Sequence, residues 1–180
     1  DLLAVAAIGL LTLLILATFR PYVLDRITVF LNPAHAPQAE GYQIQQSLIA
    51  IGSGGFLGRG FGQGVQKFTY LPEPMGDSIF AVAAEEFGFV GGVTIIGLFL
   101  ALALRGFSIA ARAKEHFGAL LAVGIATYLS AEAFINIAAM LGIAPLTGIP
   151  LTFISQGGSA MLISLASAGI LLSISRQGAR

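Results

Sequence analysis

Long apolar runs alternate with short polar breaks along this chain. Leu2 to Phe19 carries no charge, and about 18 such residues is the least that crosses a hydrocarbon layer of roughly 30 Å as a helix. A first span is therefore expected at about 2–19. Arg20-Pro21 closes it, and Tyr22, Val23, Ile27, Phe30 and Leu31 then recur near helical spacing against Asp25, Arg26 and Thr28. That pattern predicts a short helix lying in the membrane interface. Asn32-Pro33 and Pro37 interrupt the chain before an amphipathic segment in which Tyr42, Ile44, Leu48, Ile49 and Ile51 mix with Gln43, Gln45, Gln46 and Ser47. A second span follows at about 78–104, carrying Glu85 and Glu86, and a third at about 117–143, carrying Glu132 and Asn136. Pro145 to Pro150 and Gln156-Gly157-Gly158-Ser159 suit no continuous helix. The fourth span is expected at about 159–174, before Arg176 and Arg180.

These elements predict an all-α integral membrane protein: four transmembrane helices with interfacial helices and a large extracellular loop. Composition agrees, with 56% hydrophobic residues and 10% charged ones, where soluble domains carry about a quarter charged. Arg105, Arg112 and Lys114 in the loop 105–116, and the basic tail, put that side in the cytoplasm, so the loop 20–77 lies outside. The whole of 1–180 reads as a single membrane domain. It begins at Asp1 without methionine, and four helices with so many interior polar groups make a poor free-standing bundle, so it is expected to be a fragment of a longer protein. Zero net charge and no basic run exclude nucleic acid as a partner, and the absence of cysteine excludes disulfides and thiolate metal sites. His35 and His116 fall on opposite sides of the membrane and share no metal.

Candidate chemistry gathers between Gly41 and Gly92, where Arg59, Lys67, a run of glycines and Asp77 meet the start of a membrane helix. Such a place suits an anionic lipid headgroup. Asp77 is either a cap for that helix, or a base, or a ligand for a divalent cation such as Mg or Mn. On a continuous helix Glu85 turns to within about 80° of Asp77 and Glu86 points nearly opposite. Glu85 is thus the expected cavity residue and Glu86 a packing residue. The glycines from Gly52 to Gly64 lack the Gly-Lys-Ser/Thr of a nucleotide loop, but their backbone N–H groups can hold phosphate oxygens. Arg59 and Lys67 can balance a diphosphate or stand as solvated loop charges. Glu132 and Asn136, one turn apart, read as an internal hydrogen-bonded strut. The break at Pro145 to Pro150 is a second candidate wall of the site.

Several motifs occur together and in order: Asn32-Pro33, Gly41-Tyr42-Gln43, Gln46-Ser47, Ala50 to Gly55, Gly58-Arg59-Gly60, Tyr70-Leu71-Pro72-Glu73, Asp77 to Val82, Glu85-Glu86-Phe87-Gly88, and Pro145 to Ser159. Together they resemble the SEDS family of bacterial wall polymerases, whose members include RodA, FtsW and SpoVE. The resemblance covers nearly the whole chain and implies the C-terminal four of that family's ten transmembrane helices. It implies a peptidoglycan glycosyltransferase that polymerises lipid II at the outer face of the bacterial cytoplasmic membrane, with a class B penicillin-binding protein as transpeptidase partner. The family's essential aspartate falls on Asp77. Arg59, Lys67, Glu73, Glu85 and Gln156 are the substrate-binding candidates within or beside the matched motifs. The chain departs from the family pattern at Met75-Gly76-Asp77, where a His-Thr-Asp or His-Asn-Asp is common, and at Gln156 and Ala160 in the usual Ser-Tyr-Gly-Gly-Ser-Ser. Thr147 stands where some division-type members carry Lys. Gln66-Lys67-Phe68 favours the FtsW-like branch, while Gly148 to Leu151 looks more like the elongation branch. Two other classes stay open: a lipid flippase working through Glu85, Glu86 and Glu132, and a non-catalytic division scaffold.

Overall fold

The computed structural model describes residues 7–9, 11, 12, 26, 29, 30 and 40–178. The expected span at 2–19 and the interfacial helix before Asn32 fall mostly outside these residues, and Asn32-Pro33 and His35 fall wholly outside. Among the described residues from Glu40 onward, the helices run in order α1 Glu40–Ser53, α2 Gln66–Thr69, α3 Ile79–Ala111, α4 His116–Met140 and α5 Gly158–Gly178. No strand occurs among the described residues. Among the described residues three helices are long and apolar enough to cross a membrane: α3, α4, and α5 over Gly158–Arg176.

Helix ends follow local chemistry. α4 stops at Met140 rather than at 143 because Gly142 takes φ +70°. Ile143 N–H then bonds back to Ala138 O (2.8 Å) and Gly142 N–H to Ala139 O (3.1 Å). This is the paired closure of a Schellman cap, which glycine permits without a steric cost. At the other end of the bundle α3 continues past Leu104 to Ala111, leaving only residues 112–115 to turn into α4. No breaker stops it, and at Gly106 it passes so near Ala126 of α4 that a Cβ there would strike the Ala126 methyl.

Packing uses small residues. Ala103, Ala110, Ala122, Ala126 and Ala133 are buried while Leu98, Leu104, Leu162 and Leu172 point outward, the arrangement expected where lipid rather than water surrounds a bundle. One apolar cluster joins Ile44 of α1 to Phe80 and Phe99 of α3, Ile137 and Met140 of α4, and Leu146 and Leu151 of the irregular segment that follows. A second joins α3, α4 and α5 through Ala110, Ala122, Leu129, Leu171 and Ile174. The segment 141–157 is thus non-helical backbone anchored to the protein through the buried Leu146, Leu151, Thr152 and Ser155, as the apolar layer requires. α3 itself is broken at Gly88 (φ 67°, ψ −163°), and this break organises the polar chemistry.

Candidate active site at the Asp77 turn

Leu71 to Ser78 forms a tight turn at the mouth of α3. Glu73 adopts φ 46°, Gly76 N–H donates to Glu73 O (3.0 Å), and Ser78 Oγ donates to Pro72 O (2.9 Å). The next three carbonyls are then taken up by other parts of the chain. Gln156 N–H donates to Met75 O (2.8 Å), Ser155 Oγ to Gly76 O (2.5 Å), and Asn136 Nδ2 to Asp77 O (2.8 Å). The same Asn136 nitrogen donates to Ile149 O (2.7 Å). The Pro145–Pro150 break, α4 and the Asp77 turn are thereby fastened to one another, and Asn136 is the strut at their junction. Its Oδ1 is buried and takes no hydrogen bond.

The Asp77 side chain is half-buried. Its Oδ1 accepts from Gln43 Nε2 (3.2 Å), and the same amide donates to Ser78 Oγ (3.0 Å). Oδ2 receives no hydrogen bond from the described residues. The capping reading is overturned: α3 begins at Ile79 with Ser78 as its N-cap and has no side-chain cap bond. The side chain turns sideways to α1 instead, which leaves Oδ2 at the polar edge with a fixed backbone beneath it.

Glu85 and Glu86 depart from expectation. Asp77 lies before the helix, so continuous-helix geometry does not relate it to Glu85, and Glu85 faces no cavity. It is fully buried; its carboxylate accepts from Val65 N–H (3.0 Å) and Gln66 N–H (3.2 Å), and Arg59 Nη1 lies 3.7 Å away. Glu86, not merely a packing residue, takes Lys67 Nζ at 2.5 Å and the N–H groups of Gly62 and Gly64. The glycine segment therefore cradles an anion, but the anion is the protein's own. Two of its N–H groups bind the break, Arg59 N–H to Glu85 O and Gly60 N–H to Glu86 O (3.0 Å each), while Phe89 and Val90 N–H reach back to Gly55 O (2.9 Å) and Phe56 O (3.2 Å). Four backbone groups beside Gly88, the Glu85 and Glu86 carbonyls and the Phe89 and Val90 N–H groups, find partners in this way, as a broken helix at membrane depth requires.

The candidates thus divide. Glu73 and Gln156 sit on the Asp77 turn with exposed side chains, Gln156 pinned there through its backbone. Arg59, Lys67 and Glu85 gather at the Gly88 break, where Glu85 stands roughly 9 Å along α3 from its first residue, Ile79, at 1.5 Å per residue. Among the described residues no group of three or more His, Cys, Asp or Glu side chains could hold a metal. A cation at Asp77 would have one carboxylate there, which fits magnesium, commonly bound by one or two carboxylates together with substrate phosphates. Glu132, a residue of the flippase reading, accepts from Thr152 Oγ1 (3.2 Å). Sequence reasoning gave no role to Gln43, Ser78 or Ser155. Gln43 lies in the Gly41-Tyr42-Gln43 motif, but a partner 34 positions away leaves no periodic signal.

Comparison with known proteins matches this architecture throughout. The FTSW_RODA_SPOVE family model, described as cell cycle protein, matches residues 1–180. The chain belongs to the FtsW/RodA/SpoVE family. It is 47% identical over 169 residues to stage V sporulation protein E of Bacillus subtilis (strain 168), covering 94% of this chain and 46% of that protein. It is 48% identical over 156 residues to the probable peptidoglycan glycosyltransferase FtsW of Geobacter sp. (strain M18), covering 87% of this chain and 42% of that one. Such relatives set it in the FtsW-like branch of the family. A chain from a solved structure described as structural coordination of polymerization and crosslinking by a peptidoglycan synthase complex superposes with a TM-score of 0.77 at 29% identity, covering 98% of this chain and 48% of that one. This FtsW/RodA/SpoVE chain spans less than half the length of these relatives.

Proposed function

We propose that the protein to which this chain belongs is a peptidoglycan glycosyltransferase that polymerises lipid II at the outer face of the bacterial cytoplasmic membrane. In this reading four spans cross the membrane, the first at about 2–19, and the loop 20–77 lies outside. The observation that carries the proposal is the Asp77 carboxylate, oriented by Gln43 on a turn whose three carbonyls are clamped, in a family whose relatives bear the glycosyltransferase name. Asp77 takes the proton from the acceptor sugar hydroxyl as that oxygen bonds to the donor's anomeric carbon. The bond from that carbon to the lipid diphosphate breaks, the diphosphate leaves with the electron pair, and the proton passes from Asp77 to water. Arg59, whose guanidinium is 43% exposed and held loosely at 3.7 Å from Glu85, supplies positive charge as the diphosphate departs. Lys67 acts through its hold on Glu86. Glu73 and Gln156 contact sugar or peptide groups beside Asp77, and Asp77 would hold a divalent cation, Mg or Mn, which would supply further positive charge to the departing diphosphate. A class B penicillin-binding protein crosslinks the product, a pairing supported by the synthase complex that the fold resembles.

The test uses the full-length parent with its transpeptidase partner and lipid II, comparing wild type with Asp77→Asn. Glycan chain length is followed with and without a chelator, and complex integrity is checked in parallel. Loss of polymer from an intact complex is expected. Undiminished polymer would remove Asp77 from the chemistry.

A further inference from the structure

The glycine-rich segment between α1 and α2 is built inside out. The charges it covers are those of α3, where Glu85 is 0% exposed and Glu86 5%, while its own Arg59 stays 43% exposed. Its large apolar side chains face outward, with Phe56 69%, Leu57 78% and Phe61 83% exposed. Phe56 stacks on Phe89 of α3 at 5.7 Å between ring centroids, and Phe61 packs against Phe87 at 5.9 Å. The loop rings and the helix rings therefore make one continuous aromatic surface around the Gly88 break. An apolar groove of about 370 Å³, lined by Ile51, Gly55, Phe80, Phe89, Val93 and Ile96 among others, continues it along α3.

In water this arrangement is unfavourable twice over, because apolar area stays wet and carboxylates are buried. In contact with hydrocarbon both features are what is required: ring surface outside, ion pairs and backbone hydrogen bonds inside. Depth agrees. α3 has 33 residues and is about 50 Å long at 1.5 Å per residue, more than a hydrocarbon layer of roughly 30 Å needs. Counting back about 20 residues, one hydrocarbon thickness, from the exposed Arg105 reaches Glu85 and Glu86. The Gly88 break and its docked loop thus fall at the edge of the apolar layer. Lys67 is bound to Glu86 there, with its ammonium 4.9 Å from the Phe68 ring centroid.

We propose that Phe56, Leu57 and Phe61, together with Phe87 and Phe89, are seated among lipid acyl chains at the loop-side edge of the bilayer, so that the glycine segment is a membrane-inserted wedge on α3. The partner is the hydrocarbon of the leaflet, and no particular headgroup is required. The proposal concerns where the loop sits and does not depend on the glycosyltransferase reading.

Nitroxide labels report the surroundings directly. The full-length parent, with any other cysteine removed, is reconstituted in liposomes and labelled at Phe61→Cys or, independently, at Leu57→Cys, which has no ring contact to lose. Leu98→Cys on the exposed face of α3 serves as the lipid reference and Glu115→Cys in the short loop before α4 as the water reference. Collision rates are measured with oxygen, which concentrates in lipid, and with a neutral nickel chelate, which stays in water. Labels at 57 and 61 are expected to favour oxygen, as at 98, but at shallower depth. Preference for the nickel chelate, as at 115, would overturn the proposal by putting the loop in water. Protection from both reagents would overturn it in favour of cover by another part of the parent protein.

Discussion

Gly88→Ala tests the docking of the glycine segment into the broken helix most directly. The backbone at Gly88 (φ 67°, ψ −163°) lies in a region that is essentially glycine-only and costs other residues about 1–3 kcal/mol. An added Cβ would also lie 2.7 Å from the carbonyl carbon and oxygen of Phe56 and closer still to Gly58 N. These neighbours are backbone atoms, so no rotamer change relieves the overlap. The segment must draw away, stretching bonds such as Arg59 N–H to Glu85 O and Phe89 N–H to Gly55 O, each contributing about 1 kcal/mol. The docked state is thus raised by roughly 4 kcal/mol relative to the open one, from strain and lost bonds together. That corresponds to about a thousandfold larger open fraction. Arg59 provides the readout, because trypsin needs extended backbone at the cut and the bond from Arg59 N–H to Glu85 O holds that backbone on α3. In detergent, with reclosing faster than cleavage, the cutting rate follows the open population. Gly97→Ala, in the same helix but with nothing within 4 Å of the added methyl, controls for helix effects. Cleavage of Gly88→Ala as slow as that of wild type and Gly97→Ala would refute the reasoning.

Two further perturbations probe the same framework. Asn136→Ala strands the carbonyls of Asp77 and Ile149, at about 1–3 kcal/mol for each buried group left unpaired; detergent unfolding curves should show a loss of roughly 2–4 kcal/mol, and a loss under about 1 kcal/mol would contradict the strut. Lys67→Met leaves the buried Glu86 charge without its ammonium, expected to cost about 3–5 kcal/mol, whereas Lys67→Met combined with Glu86→Gln should recover much of that loss. Additive single and double variants in thermal melts would show that the pair is not coupled.

The sequence alone determined a great deal. Apolar runs longer than a hydrocarbon thickness admit only membrane helices, so the spans near 78, 117 and 159 were legible from composition and length. Prolines and glycines at 145–158 marked the irregular segment, because no helix accommodates them. Motif order assigned the family and singled out Asp77, although residues alone left it between cap and base. What the sequence left open depended on contacts between distant positions. A break at Gly88 is invisible in a run that reads as one helix, since a single glycine is tolerated there; it exists because the glycine segment some 30 positions earlier supplies the missing hydrogen bonds. Glu85 and Glu86 looked like groups for a cavity and for packing, and became internal hydrogen-bond acceptors because that segment folded over both. Gln43 carried no local signal, and Asn136 read as a strut without its partners being named, for each acts only on a backbone or carboxylate that the tertiary fold brings to it. Hydrophobic length and backbone permissiveness are local properties, readable in order along the chain. Which polar group satisfies which is a property of three-dimensional proximity, and the structure alone decided it.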